Sequence, residues 1–191
     1  IPLVLIDAHP NQINAKCVTT DNYQGSFDAT KHLLELRYEN TVFVCHTGND
    51  LSAVVDRRNG YTAAMAENGS IPPAIWFVGS GMRVDDYEFA AYKAAKERLQ
   101  KLSRPFALFA VNSPTLSGIW KAIKELQIPA SDYVLATFDE PTVDIPENVR
   151  LLKVIQHLEE MARKSVQILM EPDSGTAATK DILLSPAIVG F

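Results

Sequence analysis

The chain has 191 residues, 47% hydrophobic and 21% charged, which suits one medium domain or two small lobes and excludes a disordered tail, a collagen-like fibre or a disulfide-stapled miniprotein. Eighteen Lys and Arg stand against 23 Asp and Glu, a net charge of −5 with no basic cluster, so the chain itself is not expected to grip nucleic acid, which needs a basic face. Its longest apolar runs, such as Phe106–Val111, are strand-length, well short of the roughly 20 residues of a membrane helix.

In chain order, Ile1-Pro2-Leu3-Val4-Leu5-Ile6-Asp7 reads directly as a strand, with no cap or turn before it, and upstream sequence is expected to be missing. Pro10–Ala15 reads as a loop and Val18-Thr19-Thr20 as a short strand before a helix carrying Ala29, Leu33 and Leu36 at i, i+4, i+7. Val42–Cys45 and Ile75–Val78 read as strands apolar on both faces. Phe89, Tyr92, Leu99 and Leu102 form a helical face, and Phe106–Val111 is the next strand.

The clearest helix carries Leu116, Ile119, Trp120, Ile123 and Leu126, with Ser113 as expected N-cap and Pro114 at the first helical position. Strands over Tyr133–Phe138 and Leu151–Ile155 follow, then a helix with Leu158, Met161, Ala162, Ser165, Ile168 and Leu169 on one side. Glu171–Gly175 is a turn-rich break, and Pro186 splits two short strands, Ile182–Leu184 and Ala187–Val189. The βαβα alternation predicts a doubly wound α/β fold with parallel sheets and right-handed crossovers. The β-rich ends predict two lobes, with the chain crossing between them more than once.

In such a sheet ligands bind outside the carboxyl ends of the strands. Asp7, Asn112 and Asp139 directly follow strands, Phe138 precedes Asp139, and Arg57 stands near the start of a helix that follows one. Together they would make a hydrogen-bonding site for a polyhydroxylated ligand, with Arg donating and Asp accepting. Each also has a structural reading: Asp7 initiating a turn, Asn112 entering a helix, Asp139 capping the turn before Pro141, and Arg57 solvated beside Asp56 and Arg58.

Catalytic signatures are absent from the sequence: there is no Gly-x-Ser-x-Gly elbow, Walker A loop, Gly-x-Gly-x-x-Gly after a strand, or His-Glu-x-x-His. Gly79-Ser80-Gly81 reads as a tight turn. Cys17 and Cys45 read as buried thiols, and no zinc-ligand spacing occurs. Among the histidines His9, His32 and His157 show no mutual spacing of interest, and only His46, just after a strand, stays open to a functional role. Trp76 and Trp120 read as core.

The order of motifs resembles the effector-binding core of the lactose/galactose repressor (LacI/GalR) family, which has the two-lobed periplasmic-binding-protein fold. The resemblance is carried by Ile1–Asp7, by Asp21-Asn22-Tyr23-Gln24-Gly25 with His32-Leu33-Leu34, and by Arg57-Arg58-Asn59-Gly60-Tyr61. Phe106–Asn112 with Gly118, Phe138-Asp139-Glu140, and Val154-Ile155-Gln156 with Met161-Ala162 complete it.

The resemblance implies effector contacts at Asp7, Arg57, Asn112 and Asp139, with Phe138, Gln156 and Asp86 as further contacts. It implies a partial N-terminal lobe from residues 1–20 and 157–185, a C-terminal lobe from residues 21–156, and a last strand within 186–191 that rejoins the C-terminal lobe. Ser113, Arg37-Tyr38 and Glu140 depart from the family's Asp, Gly-His and second Asp; loss of the Asp at Ser113 is expected to remove a charged acceptor from the pocket rim.

The same resemblance implies a cytoplasmic sensor of a sugar or sugar phosphate, a homodimer that meets operator DNA only through a headpiece outside this chain. No catalysis, metal, cofactor or membrane partner is expected. The alternative is a sugar-binding protein of an uptake system.

Overall fold

The computed structural model describes residues 3–7, 15–38, 40–47, 51–69, 72–79, 84–170 and 181–191. His9, Ile1-Pro2, most of the expected Pro10–Ala15 loop, Ser80-Gly81 and the Glu171–Gly175 break lie outside them. The elements run β1 (Val4–Ile6), β2 (Lys16–Thr20), α1 (Asn22–Glu35), β3 (Asn40–His46), α2 (Ser52–Asn68), β4 (Ala74–Val78) and α3 (Val84–Arg98). Then come β5 (Phe106–Ala110), α4 (Ser113–Glu125), β6 (Tyr133–Phe138), β7 (Leu151–Ile155), α5 (Leu158–Met170), β8 (Ile182–Leu184) and β9 (Ala187–Val189).

Two sheets result. The larger has the order β4-β3-β5-β6-β7-β9 and is parallel except for β9, which runs antiparallel to β7; the smaller is parallel, with the order β1-β2-β8. The fold is α/β with parallel sheets, as the βαβα alternation predicts. Side chains alternate faces along a strand, so β5 at the centre feeds two cores. Leu108 and Ala110 join Ala91 and Ala95 of α3, Leu99 just after it, and Leu116 and Ile119 of α4. Ala107 and Phe109 join Ala29, Leu33, Tyr61 and Met65 of α1 and α2. Burial on both faces is why the strands read as continuous apolar runs.

Helix pairs on each face approach at glycine. A Cβ on Gly60 of α2 would collide with the Tyr23 carbonyl of α1, and one on Gly118 of α4 with the Glu88 carbonyl of α3. That second approach corrects the expected α3 face. The buried residues there are Ala91, Ala95 and Leu99, while Phe89 is 60% exposed, because only small side chains fit where the backbones nearly touch.

The α5 face is corrected too. Met161 and Ser165 are buried, but Ala162 and Leu169 on the expected face are exposed, and Leu158 is 63% exposed. Among the described residues the small sheet has three strands, and Leu3, Ile6 and Leu183 in the same region also stay more than half exposed. Among the described helices none is long and apolar enough to cross a membrane.

Candidate functional site

The α4 cap is Asn112 rather than Ser113: its Oδ1 accepts from the Thr115 N–H at 3.0 Å and from the Thr115 hydroxyl at 2.7 Å. Ser113 is unavailable, because its Oγ accepts from the Thr142 N–H at 2.9 Å. It is buried and ties the chain just beyond Asp139 to the start of α4. The expected rim acceptor at this position is therefore replaced by an internal tether, since a serine is short enough to be used up by the neighbouring backbone.

Arg57 is 5% exposed and not solvated. Its Nε donates to Asn22 Oδ1 at 2.7 Å, one terminal nitrogen donates to the Val111 carbonyl at 2.9 Å, and the guanidinium lies 3.9 Å over the Phe138 ring. Phe138 stacks in turn on Phe109, with centroids 6.0 Å apart. Burial pulls the Arg57 pKa below its ordinary value, opposed by the charges of Asp139 and then Asp7. A buried cation without such partners would be costly.

Both carboxylates sit on left-handed backbone, with φ of 55° at Asp7 and 67° at Asp139. Asp tolerates this region better than most residues. Each closes its strand with one more ladder bond, Asp7 N–H to the Val18 carbonyl and Asp139 N–H to the Val154 carbonyl. Each carboxylate therefore stands at the tip of its strand. Thr19 Oγ1 makes a long 3.4 Å bond to Asp7 Oδ1.

Gln156 bridges the two sheets. Its Nε2 donates to Asp139 Oδ1 at 2.7 Å, while its Oε1 accepts from the Thr20 hydroxyl of β2, also at 2.7 Å. Asn22 closes a second link, donating to the Thr20 carbonyl at 3.1 Å while accepting from Arg57.

These bonds and charges bring together Asp7, Arg57, Phe138, Asp139 and Gln156, with Asn112 one residue beyond the carbonyl that Arg57 holds. Asp86 is exposed on the first turn of α3, and the bonds just described do not include it. Sequence reasoning does not single out Thr20 or Asn22 as site residues; the Asp21-Asn22 pair is visible as a motif, but its bond to Arg57 spans 35 residues.

His46, the histidine left open by sequence, ends β3 beside Asn112. Its Nε2 lies 3.0 Å from Thr115 Oγ1, and its ring stacks on Tyr87 at 3.9 Å. Burial pushes its pKa down to about 4, partly offset by a hydrogen bond with Asn112. Nδ1 is buried without a hydrogen-bond partner among the described residues. Cys45 next to it is fully buried, and burial raises its pKa to about 11, so the thiol stays protonated. Among the described residues no group of His, Cys, Asp and Glu has the arrangement to hold a metal.

The sequence model of the periplasmic binding protein-like domain matches residues 30–190. The chain is 25% identical over 195 aligned residues to the HTH-type transcriptional repressor PurR of Haemophilus influenzae, covering 99% of this chain and 56% of that protein. It is 26% identical to the arabinose metabolism transcriptional repressor of Geobacillus stearothermophilus, covering 99% of this chain and 52% of the repressor. The chain thus spans about half the length of these relatives.

Among solved structures, a LacI family regulator of Enterococcus faecium with bound ribose matches with a TM-score of 0.77 at 20% identity, over 100% of this chain and 69% of its own. The Cra regulator of Pseudomonas putida in complex with fructose 1-phosphate matches with a TM-score of 0.78 at 14% identity, over 100% and 68%. At these identities the structural matches speak for the fold.

Proposed function

Because the chain belongs to the periplasmic binding protein-like domain family, as a core of LacI/GalR type, we propose that it senses a small polyhydroxy effector for a DNA-binding repressor. The observation that carries this reading is the bonded path Thr20–Gln156–Asp139, with Arg57 held beside it, joining the tips of the small sheet to those of the large one. An effector seated there touches both sheets at once and favours one angle between them, a hinge-type transition. Coupling arises from binding one arrangement more tightly than the other.

On this reading residues 1–20 and 157–185 form one lobe, and residues 21–156 with 186–191 the other. The pairing of β8 with β2 and of β9 with β7 supports the division. Asp7, Arg57, Asn112, Phe138, Asp139 and Gln156 face the effector. The protein works in the cytoplasm as a homodimer, and the pair sets the spacing of two DNA-binding headpieces. It performs no catalysis. The relatives are repressors, so no observation favours the uptake reading.

Isothermal titration of ribose, arabinose and fructose 1-phosphate into the chain and into its Arg57→Met variant tests the site. Binding that Arg57→Met abolishes supports it; binding indifferent to that change removes it.

A further inference from the structure

We propose that Asn22 is a positioning residue for the effector, holding the Arg57 guanidinium so that its second terminal nitrogen is presented to the ligand; the inference rests on the effector-site reading above. Asn22 is buried in the first turn of α1. Its Oδ1 accepts from Arg57 Nε at 2.7 Å, and its Nδ2 donates to the Thr20 carbonyl at 3.1 Å. A bond this short from a cation is charge-assisted, the stronger kind.

The amide cannot trade its two ends. Arg57 Nε–H only donates and the Thr20 carbonyl only accepts, so the oxygen must face the arginine and the nitrogen the strand. Of the guanidinium N–H groups, Nε–H goes to Asn22 and one on Nη1 goes to the Val111 carbonyl. Among the described residues no hydrogen bond takes up Nη2. Acceptors on α1 and just beyond β5, with the Phe138 ring at 3.9 Å, together fix the plane of the group. Without the Asn22 acceptor a single bond remains, about which the guanidinium can turn.

Helix packing brings the pair together. Arg57 and Gly60 are three residues apart on α2 and so share a face. At Gly60 the Tyr23 carbonyl of α1 comes so near that a Cβ would collide with it. That approach carries Asn22, the neighbour of Tyr23, to Arg57. Thr20 meanwhile gives its hydroxyl to Gln156 and its carbonyl to Asn22. The end of β2 thus reaches Asp139 through Gln156 and Arg57 through Asn22.

The experiment is isothermal titration of ribose, arabinose and fructose 1-phosphate into the 191-residue chain and into Asn22→Leu, Asn22→Asp and Arg57→Met. Asn22→Ser replaces the leucine variant, and Asp139→Asn the methionine one, should either not fold. Leucine removes the acceptor and the donor, whereas aspartate keeps the acceptor for Arg57; both lose the bond to Thr20. A probe that binds wild type is expected to bind Asn22→Leu about tenfold or more weakly and Asn22→Asp within about threefold of wild type. The Arg57 Nε–H signal in 15N NMR is expected to be protected from solvent exchange in wild type and Asn22→Asp and unprotected in Asn22→Leu. Should Asn22→Asp not fold, that signal decides between wild type and Asn22→Leu. Equal losses in the two Asn22 variants, no loss in Asn22→Leu, or an Nε–H still protected there overturns the inference; if Arg57→Met abolishes binding, the site stands. Binding indifferent to Arg57→Met, or by none of the three probes, overturns the site reading and the inference with it.

Discussion

The Arg57 guanidinium carbon lies 3.9 Å from the centre of the Phe138 ring, while its Nε is bonded to Asn22 Oδ1 at 2.7 Å. A cation buried this way is held by a ring quadrupole, an amide, a main-chain carbonyl and the charges of two carboxylates. Helices α1 and α2 and the tips of β5 and β6 therefore meet at one side chain.

Arg57→Met keeps most of the stem packing but leaves Asn22 Oδ1 and the Val111 carbonyl without their donor. Buried acceptors left unpaired cost about 1–3 kcal/mol each. Arg57→Lys is expected to recover little, because an ammonium cannot serve both acceptors and stack on Phe138. Urea denaturation of the two variants beside the wild type measures this, and a lysine variant of wild-type stability would contradict the account.

Gln156→Glu puts a carboxylate beside Asp139, where the amide now donates. Like charges at hydrogen-bond distance raise one pKa. The variant is therefore expected to be about 1–2 kcal/mol less stable than wild type at pH 8 and to regain that difference as the pH falls toward 5 and the pair takes up a proton. Gln156→Leu loses the same bonds, yet its deficit should not vary with pH. Thermal melts of both variants across that range separate the two behaviours.

His46 has a folded pKa of about 4 against an ordinary value of 6.5, lowered chiefly by burial. Between those values the unfolded chain binds the proton and the folded one does not. Its contribution is therefore complete above about pH 6.5 and is lost as the pH falls toward 4, by on the order of 1–3 kcal/mol. His46→Phe keeps a ring against Tyr87 and cannot take up a proton. Denaturant midpoints at pH 7, 5.5 and 4.5 should fall less steeply in this variant than in wild type; parallel slopes would exclude His46 as a contributor.

Gly118→Ala and Gly69→Ala distinguish two reasons for glycine. At Gly118 a Cβ meets the Glu88 carbonyl and Tyr92 N of α3, so the helices must separate. At Gly69, with φ of 66°, nothing among the described residues lies within 4 Å of such a Cβ, and backbone preference is what is lost. Calorimetric melts are expected to show about 1–2 kcal/mol for Gly69→Ala and a larger loss for Gly118→Ala, with overpacking costing about 1–3 kcal/mol and occasionally more.

Much of this protein was legible in its sequence because the information is local. Strands buried on both faces announce themselves as apolar runs, and their carboxyl ends mark where Asp7, Asn112 and Asp139 stand. Order along the chain was enough to anticipate parallel sheets and two β-rich ends. Tertiary structure alone decided the rest. Phe89 points outward because α4 passes α3 at Gly118, and Ser113 serves Thr142 because a loop 29 residues away folds back onto it. Arg57 is buried rather than solvated because Asn22 and Val111, 35 and 54 residues distant, supply its acceptors. Hydrophobic period is written residue by residue along an element, whereas a hydrogen-bond partner across the fold is fixed only when the elements dock, so pattern reveals where a polar side chain begins but not what it finds.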